Sequence, residues 1–174
     1  MKSNLEIAKK IRETIREGDI SSFNELINLD ESLLTMMTPF GTWLHVAVSF
    51  GNLSIVKRVV DLGVDVNIRG GTFDGNALNF AASQGHVDIV KYLLSCGSEI
   101  DVSDPVRNPL FSAIYCGDKE IVNVLVEAGT DVNVKYSGES MNNMGALEFA
   151  IEGGQTEIAE LLRETSESNQ LDSK

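Results

Sequence analysis

The residues best suited to chemistry in this sequence are two histidines, His45 and His86, and two cysteines, Cys96 and Cys116. No H-E-x-x-H, C-x-x-C or G-x-x-x-x-G-K-[ST] motif occurs, so the spacings of common zinc and nucleotide sites are missing. The glycine-rich segment Gly70–Gly75 lacks the strand–loop–helix context that a phosphate-binding loop needs. The sequence therefore predicts no metal, nucleotide or other cofactor.

Acidic side chains are abundant enough to raise the question of a catalytic carboxylate pair. Glu157 with Glu160, and Asp118 with Glu120, lie at helix starts or on polar faces, where negative charge suits the helix dipole and the solvent. This structural interpretation is favoured over a glycosidase-like pair. Each cysteine directly precedes a glycine in one of two similar segments, without a neighbouring histidine, and we expect reduced thiols. No catalytic residue is predicted, and an enzyme is the less favoured alternative.

The elements that position these residues form a repeat. Gly18, Gly51, Gly85, Gly117 and Gly154 each separate two amphipathic segments, and they are spaced by 33, 34, 32 and 37 residues. A fixed period near 33 is typical of a solenoid, in which each unit buries its apolar face against its neighbours. The longest gap lengthens the segment at 135–144 by about four residues over the usual period of roughly 33.

Each central unit has the same internal pattern. A capping residue, Thr42, Asn76 or Asn108, opens a first helix, and a small alanine follows where neighbouring helices must approach closely. The second helix repeats apolar doublets at helical spacing. The doublets are Ile55, Val56, Val59 and Val60, then Ile89, Val90, Leu93 and Leu94, then Ile121, Val122, Leu125 and Val126. A glycine then ends the helix, at Gly63, Gly97 and Gly129.

These residues resemble the ankyrin repeat, whose T-P-L-H, G-H-x-x-I-V and G-A-D-V-N landmarks match Thr42–His45, Gly85–Val90 and Gly129–Asn133. The resemblance covers about residues 5 to 164 and implies an all-α ankyrin-repeat solenoid in one domain, 1–164. The repeats are about 5–37, 38–71, 72–104, 105–140 and 141–164, with hairpin-like fingers, and the first and last repeats act as caps. Both histidines fall on landmarks, so we interpret them as architectural. The polar run 165–174 is predicted to be a disordered tail.

The sequence departs from the family pattern at two landmark positions. Trp43 and Ala77 replace its proline, and Phe111 and Glu148 replace its histidine. The hydrogen bonds that this histidine makes in the family are therefore in doubt in the last two repeats.

Charge limits the candidate partners. The formal net charge is −12, and the segment from Glu17 onward has nine basic and 24 acidic side chains. Such a body repels phosphate backbones and anionic lipid headgroups, so we expect no nucleic acid and no membrane partner but another, basic protein. The first ten residues lack the apolar core of a signal peptide, which predicts a cytoplasmic protein. We expect it to be monomeric when free.

Ankyrin proteins, as the resemblance implies, bind partners through finger tips and the exposed surface of the first helices. The variable positions of the family, with the lengthened finger, select eleven candidate partner-binding residues, although Trp43, Phe50 and Tyr115 have packing against a finger as an alternative. They are Trp43, Phe50, Phe73, Asp74, Gln84, Arg107, Tyr115, Tyr136, Met141, Met144 and Glu152.

Two functions of the binding class follow from this. The leading hypothesis is a stoichiometric inhibitor, for example an immunity protein that neutralises a basic toxin, because the chain is acidic, has no catalytic set, and its last repeat looks like those of small bacterial ankyrin proteins. The alternative is a general ankyrin scaffold or regulator of a cellular enzyme, in which the acidic surface serves solubility alone.

Overall fold

The structure, a computed structural model, describes residues 4–138 and 141–171. This part of the chain forms ten α-helices arranged as five consecutive pairs, with one short two-stranded sheet. The helices are α1 Asn4–Glu17, α2 Ile20–Leu29, α3 Trp43–Ser49, α4 Leu53–Asp61, α5 Ala77–Ser83, α6 Val87–Ser95, α7 Pro109–Cys116, α8 Lys119–Glu127, α9 Ala146–Glu152 and α10 Thr156–Leu171. A 3-10 turn, Glu31–Leu33, follows α2, and strands β1 Lys135–Gly138 and β2 Met141–Gly145 precede α9. The predicted all-α repeat solenoid is confirmed.

The core runs continuously through the stack because each helix buries one face. In each predicted set of apolar doublets, the first three residues are buried. The fourth, which is Val60, Leu94 or Val126, is partly buried and packs against the core. Helices of one kind contact their counterparts in the next repeat, as α3 contacts α5 and α5 contacts α7. Each repeat is therefore held mainly by its neighbours.

Among the inter-helix glycines, Gly51 is restricted to glycine for two reasons. Gly51 has a φ of 66°, in the left-handed region that residues with a Cβ resist. A Cβ at Gly51 would also lie 2.7 Å from Cε1 of His86, the N-cap residue of α6 in the next repeat. Asn52 makes the corresponding contact one repeat earlier, where its amide donates to the carbonyl of Ile15 at 3.2 Å. Asn52 and His86, each the residue after an inter-helix glycine, thus lie against the preceding repeat.

Replacing Gly51 with alanine is expected to destabilise the fold more than replacing Gly63. Both glycines have positive φ, at 66° and 89°, so both substitutions incur about 1–2 kcal/mol of left-handed strain. No atom lies within 4 Å of a Cβ at Gly63, whereas at Gly51 the His86 ring must move, which adds about 1–3 kcal/mol. Urea unfolding of both variants measures the difference. Equal losses would contradict the close contact between repeats.

One segment agrees with the sequence-based predictions and one differs from them. The lengthened finger forms an antiparallel hairpin, as expected of a hairpin-like finger, in which Lys135 pairs with Gly145 and Tyr136 with Met144. The tail predicted to be disordered from residue 165 continues α10 through Leu171, while residues 172–174 lie outside the described part. Ser166 Oγ lies 3.1 Å from Asn133 Oδ1, so the extra helical turns contact the preceding repeat. The prediction of disorder was wrong for 165–171, because it weighed composition alone.

Within the ranges that the structure describes, no helix has the length and apolar character needed to cross a membrane.

Candidate functional site

In the second and third repeats, a side chain of the first helix is hydrogen-bonded to the next finger. His45 on α3 lies with Nε2 3.1 Å from the carbonyl oxygen of Gly75, and its Nδ1 lies 3.2 Å from the backbone N–H of Thr42. One repeat later, Asn79 takes the place of the histidine, and its amide donates to the carbonyl of Val106 at 3.2 Å. Both contacts agree with the architectural interpretation of this position.

In the fourth repeat this polar tie is replaced by aromatic packing. Phe111, at the histidine position of α7, meets the ring of Tyr136 edge-on at 5.0 Å and stacks on Phe149 of α9 at 5.2 Å. Tyr136 supplies the missing polar link, because its hydroxyl donates to the carbonyl of Val102 at 2.8 Å and accepts from Asn108 at 3.0 Å. Burial raises the pKa of Tyr136, so its hydroxyl stays protonated and able to donate. The aromatic cluster thus joins two repeats and the hairpin finger.

Next to this cluster, between the fingers and the first helices of the last three repeats, lies an open apolar groove of about 520 Å³. Tyr115 and Phe73 are its most exposed large side chains, at 80% and 60%. The groove is lined by Phe73, Asn79, Phe80, Ser83, Gln84, Pro105, Val106, Phe111, Ser112, Tyr115, Cys116, Met141 and Phe149. Exposed apolar surface of this kind, with aromatic residues at the centre, is typical of a binding site.

The cations of the fingers are neutralised within the chain. Arg69 and Arg107 both pair with Asp101, at 2.6 Å and 3.2 Å, and Lys135 pairs with Glu148 at 2.9 Å. Burial tends to raise the pKa of Asp101, but hydrogen bonds from Ser103 and the two guanidiniums lower it, so the carboxylate stays charged. The Lys135 ammonium likewise lowers the pKa of Glu148.

The free charges beside the groove are acidic. Asp74 follows the groove residue Phe73, and Glu152 lies on α9 three residues after Phe149. Both are exposed, and neither belongs to an ion pair within the residues described by the structure. The groove lining itself contains no acidic residue, and these two exposed carboxylates lie close in sequence to the lining residues Phe73 and Phe149.

The structure brings together four of the eleven predicted partner-binding residues, Phe73, Gln84, Tyr115 and Met141, in the groove lining. Asp74 and Glu152 are exposed beside it, and Met144 is half-buried opposite Tyr136 in the hairpin. For these residues, contact with a partner stays a prediction.

The prediction for Trp43 was wrong. The indole is 1% exposed, and its Nε1–H donates to the carbonyl of Leu33 at 2.7 Å, so it fastens α3 to the 3-10 turn of the first repeat. Such a side chain contacts a partner only if the repeat opens.

Three further candidates have structural contacts of their own. Arg107 is tied to Asp101 and donates to Ser103 Oγ at 3.0 Å, and Tyr136 is held through its hydroxyl and ring. Phe50 is half-buried beneath the guanidinium of Arg12. Because these three side chains already make contacts within the chain, we expect them to contribute less to partner binding than freely exposed side chains.

Several groove residues were missed by sequence reasoning, chiefly Phe80, Val106, Phe111 and Phe149. Apart from Trp43, the candidates on the helices were limited to the two residues before each inter-helix glycine. Phe80 precedes Gln84 by four residues, which places the two on the same face of α5. Extending the search by one helical turn would have found Phe80 and, by the same register, Phe149.

A pH dependence of stability follows from His45. Burial lowers the pKa of His45 below its usual 6.5, and protonating Nδ1 would also oppose the Thr42 N–H. The unfolded chain therefore binds a proton on His45 more readily than the folded chain does. The contribution of His45 to the free energy of unfolding is fully present above pH 6.5, and it is lost as the pH falls from 6.5 through the lowered pKa of the folded state. The slope is at most about 1.4 kcal/mol per pH unit for one proton.

His45→Asn should remove this slope, because asparagine already serves at the equivalent position 79. Urea unfolding at pH 7.5, 6.5 and 5.5 measures the effect. A wild-type slope between these values that persists in the variant would assign the titration to another group.

Within residues 4–138 and 141–171, no group of three or more His, Cys, Asp or Glu side chains is placed to hold a metal ion. The described residues instead form a surface suited to contact with another protein, with an apolar groove, exposed aromatic rings and free carboxylates.

Comparison with known proteins agrees with this arrangement. A family profile described as "Ankyrin repeats (3 copies)" matches residues 13–104 and 44–136. The chain is 36% identical over 91 residues to protein phosphatase 1 regulatory subunit 27 of Mus musculus, covering 52% of this chain and 58% of that protein. It is 36% identical over 84 residues to a putative ankyrin repeat protein of Fowlpox virus, covering 48% of this chain and 15% of that protein.

A third relative is an enzyme by name. The chain is 32% identical over 119 residues to an L-asparaginase of Dirofilaria immitis, and the match covers 67% of this chain but 20% of that protein. The chain spans less than two thirds of the length of each of these three relatives. The family profile covers well over half of the chain, and the helix pairs and fingers agree with it, so this protein belongs to the ankyrin-repeat family and is a protein-interaction module.

Proposed function

We propose that this chain is a non-catalytic protein that binds a basic partner protein through the groove and acts as its stoichiometric inhibitor. A basic toxin is one such target, and the chain would then serve as an immunity protein. The observation that carries the proposal is the open apolar groove of about 520 Å³ with exposed Tyr115 and Phe73 at its surface.

The chemistry of the groove supports an apolar anchor on the partner. Aromatic side chains that lose their contact with water on binding supply much of the energy of an interface. The groove has the size range of pockets that enclose a small ligand, so it accommodates large apolar side chains from one segment. The Phe111–Phe149 stack holds the groove floor, which reduces the ordering needed on binding.

The charge supports a cationic segment beside that anchor. Asp74 and Glu152 are free near the groove, and the whole chain carries a formal charge of −12. A field of one sign accelerates the encounter with an oppositely charged partner and disfavours nucleic acid and anionic membranes. We therefore expect lysine or arginine next to the anchoring side chain.

The test is kinetic and uses the partner recovered by affinity co-purification. Asp74→Asn together with Glu152→Gln should slow association, most strongly at low salt, and leave dissociation less affected. Glu25→Gln, at an exposed acid of α2 outside the groove, is the matched control. Titration of the partner's own activity should end at one equivalent of this chain. An acidic partner, or an association rate insensitive to salt, would sink the proposal.

The second candidate is a regulator of a cellular enzyme, and the relative named as a regulatory subunit of protein phosphatase 1 favours it. On this alternative the acidic surface serves solubility, and neutralising Asp74 and Glu152 leaves the association rate unchanged. Binding would still depend on Tyr115 and Phe73, so the charge variants separate the two candidates.

A further inference from the structure

A second feature of the surface is an arginine near the start of the chain that contacts two aromatic rings. Arg12 lies on α1 with its guanidinium carbon 4.8 Å from the ring centroid of Phe40 and 5.4 Å from that of Phe50. Both distances are within the range of a cation–π contact. Phe40 is itself 53% exposed. We call these three residues the arginine clamp.

Arg12 has no carboxylate partner within the part of the chain that the structure describes. Its neighbour Arg16 pairs with Glu13 at 3.0 Å and with Glu17 at 3.7 Å, whereas Arg12 contacts the two rings. A guanidinium offers five N–H donors in a fixed plane, and stacking on aromatic faces leaves those in-plane donors available. Arg58 and Arg163 also lack an ion pair among the described residues, but of these three arginines only Arg12 lies over aromatic rings.

Register places the arginine clamp on the same face as the groove. Phe40 lies two residues before the helix-capping Thr42, as Val106 lies two before Asn108. Phe50 directly precedes Gly51, as Cys116 precedes Gly117. Val106 and Cys116 line the groove, and equivalent positions of a repeat stack form continuous rows. A partner that occupies the groove and extends toward the first repeat therefore meets the arginine clamp.

We propose that the arginine clamp is a carboxylate-binding subsite that receives an Asp or Glu side chain, or a terminal carboxylate, of the partner in the groove. The inference deepens the proposed function and rests on it. The contacts with the two rings restrict the guanidinium, so less side-chain freedom is lost when a carboxylate accepts from two parallel N–H donors. The partner, although basic overall, thus presents an anionic group at one end and an apolar, cationic segment at the other.

The subsite is tested without the partner, by NMR of the arginine Nε–Hε groups during titration with sodium acetate at constant ionic strength. Arg163 on α10 is the control, because it is exposed and makes no ring contact or ion pair within the described residues. Arg12 should respond at an acetate concentration about fivefold lower than Arg163. Phe40→Leu, which removes one of the two rings at an exposed position, should shift the response of Arg12 toward that of Arg163.

Each other outcome overturns the inference. Equal responses of Arg12 and Arg163 in the wild-type chain would show an ordinary surface cation, and an unchanged Arg12 response in Phe40→Leu would remove the role of the rings. A stronger response to inorganic phosphate than to acetate would replace the carboxylate by a phosphate group. The acetate titration measures the arginine clamp and not the groove. A negative acetate result therefore leaves the proposal of groove binding intact, and a loss of partner binding in the groove leaves the acetate response of Arg12 unchanged.

Discussion

Replacing Trp43 with alanine is expected to lower the free energy of unfolding by about 3–5 kcal/mol, a large share of the stability of a small domain. The indole is 1% exposed and among the largest fully buried side chains of the described core, so its removal leaves a cavity between the first two repeats. The carbonyl of Leu33 also loses the hydrogen bond that it accepts from Nε1 at 2.7 Å. Urea unfolding followed by far-ultraviolet circular dichroism measures the change.

Trp43→Phe separates the two contributions, because it keeps an aromatic ring but removes the N–H donor. It should cost about 1–3 kcal/mol, the value for a buried polar group left without a partner. Leu29→Ala, at a side chain that is 72% exposed, should change stability by less than about 0.5 kcal/mol. A loss below about 1 kcal/mol in Trp43→Ala would contradict the buried position and return Trp43 to the surface candidates.

The error at Trp43 shows what a repeat pattern predicts and what it does not. Capping residues, helix-ending glycines and apolar stripes were predicted well, because each depends on local geometry that recurs in every unit: Asn76, for example, caps α5 and Gly63 ends α4 with a φ of 89°. Trp43 stands where the family has proline. Whether its indole turns inward depends on the carbonyl of Leu33 in another repeat, and the pattern around position 43 contains no information on that.

The groove was predictable only in part, for the same physical reason. The sequence shows that Phe111 replaces a hydrogen-bonding histidine, but its effect depends on Phe149 in the next repeat and Tyr136 in the finger, both distant in sequence. Helical spacing alone connects Phe80 with Gln84, so that part of the lining was accessible. Residues that act within one helix are thus predicted more readily than residues that meet across repeats.

The last helix illustrates a further limit. Composition predicted a polar tail from residue 165, yet Thr165 Oγ1 donates to the carbonyl of Leu161 at 2.9 Å and Ser166 contacts Asn133. Extending an existing helix fixes one residue for each added hydrogen bond, and it needs no new nucleus. A polar segment that would not fold alone therefore continues α10.

Replacing Tyr115 and Phe73 together with alanine is expected to weaken partner binding by about 30-fold or more, equivalent to roughly 2 kcal/mol, while leaving the fold intact. Both side chains line the groove and are 80% and 60% exposed, so they contribute little to the packed core. In the complex their rings would be enclosed by the partner's apolar anchor, where contact with water is lost. Most of the loss should appear as faster dissociation, since Asp74 and Glu152, the residues proposed to steer encounter, are unchanged.

Isothermal titration calorimetry with the co-purified partner measures the affinity, and thermal unfolding of the free variant confirms that the fold is retained. Leu29→Ala is the matched control, because Leu29 is an exposed aliphatic side chain, at 72%, that does not line the groove. The thiol of Cys116, an exposed groove residue, gives an independent readout in a Cys96→Ser background: bound partner should slow its reaction with a thiol reagent. Full affinity in the double variant, or a Cys116 thiol that reacts equally fast with and without partner, would place the interface elsewhere on the repeat stack.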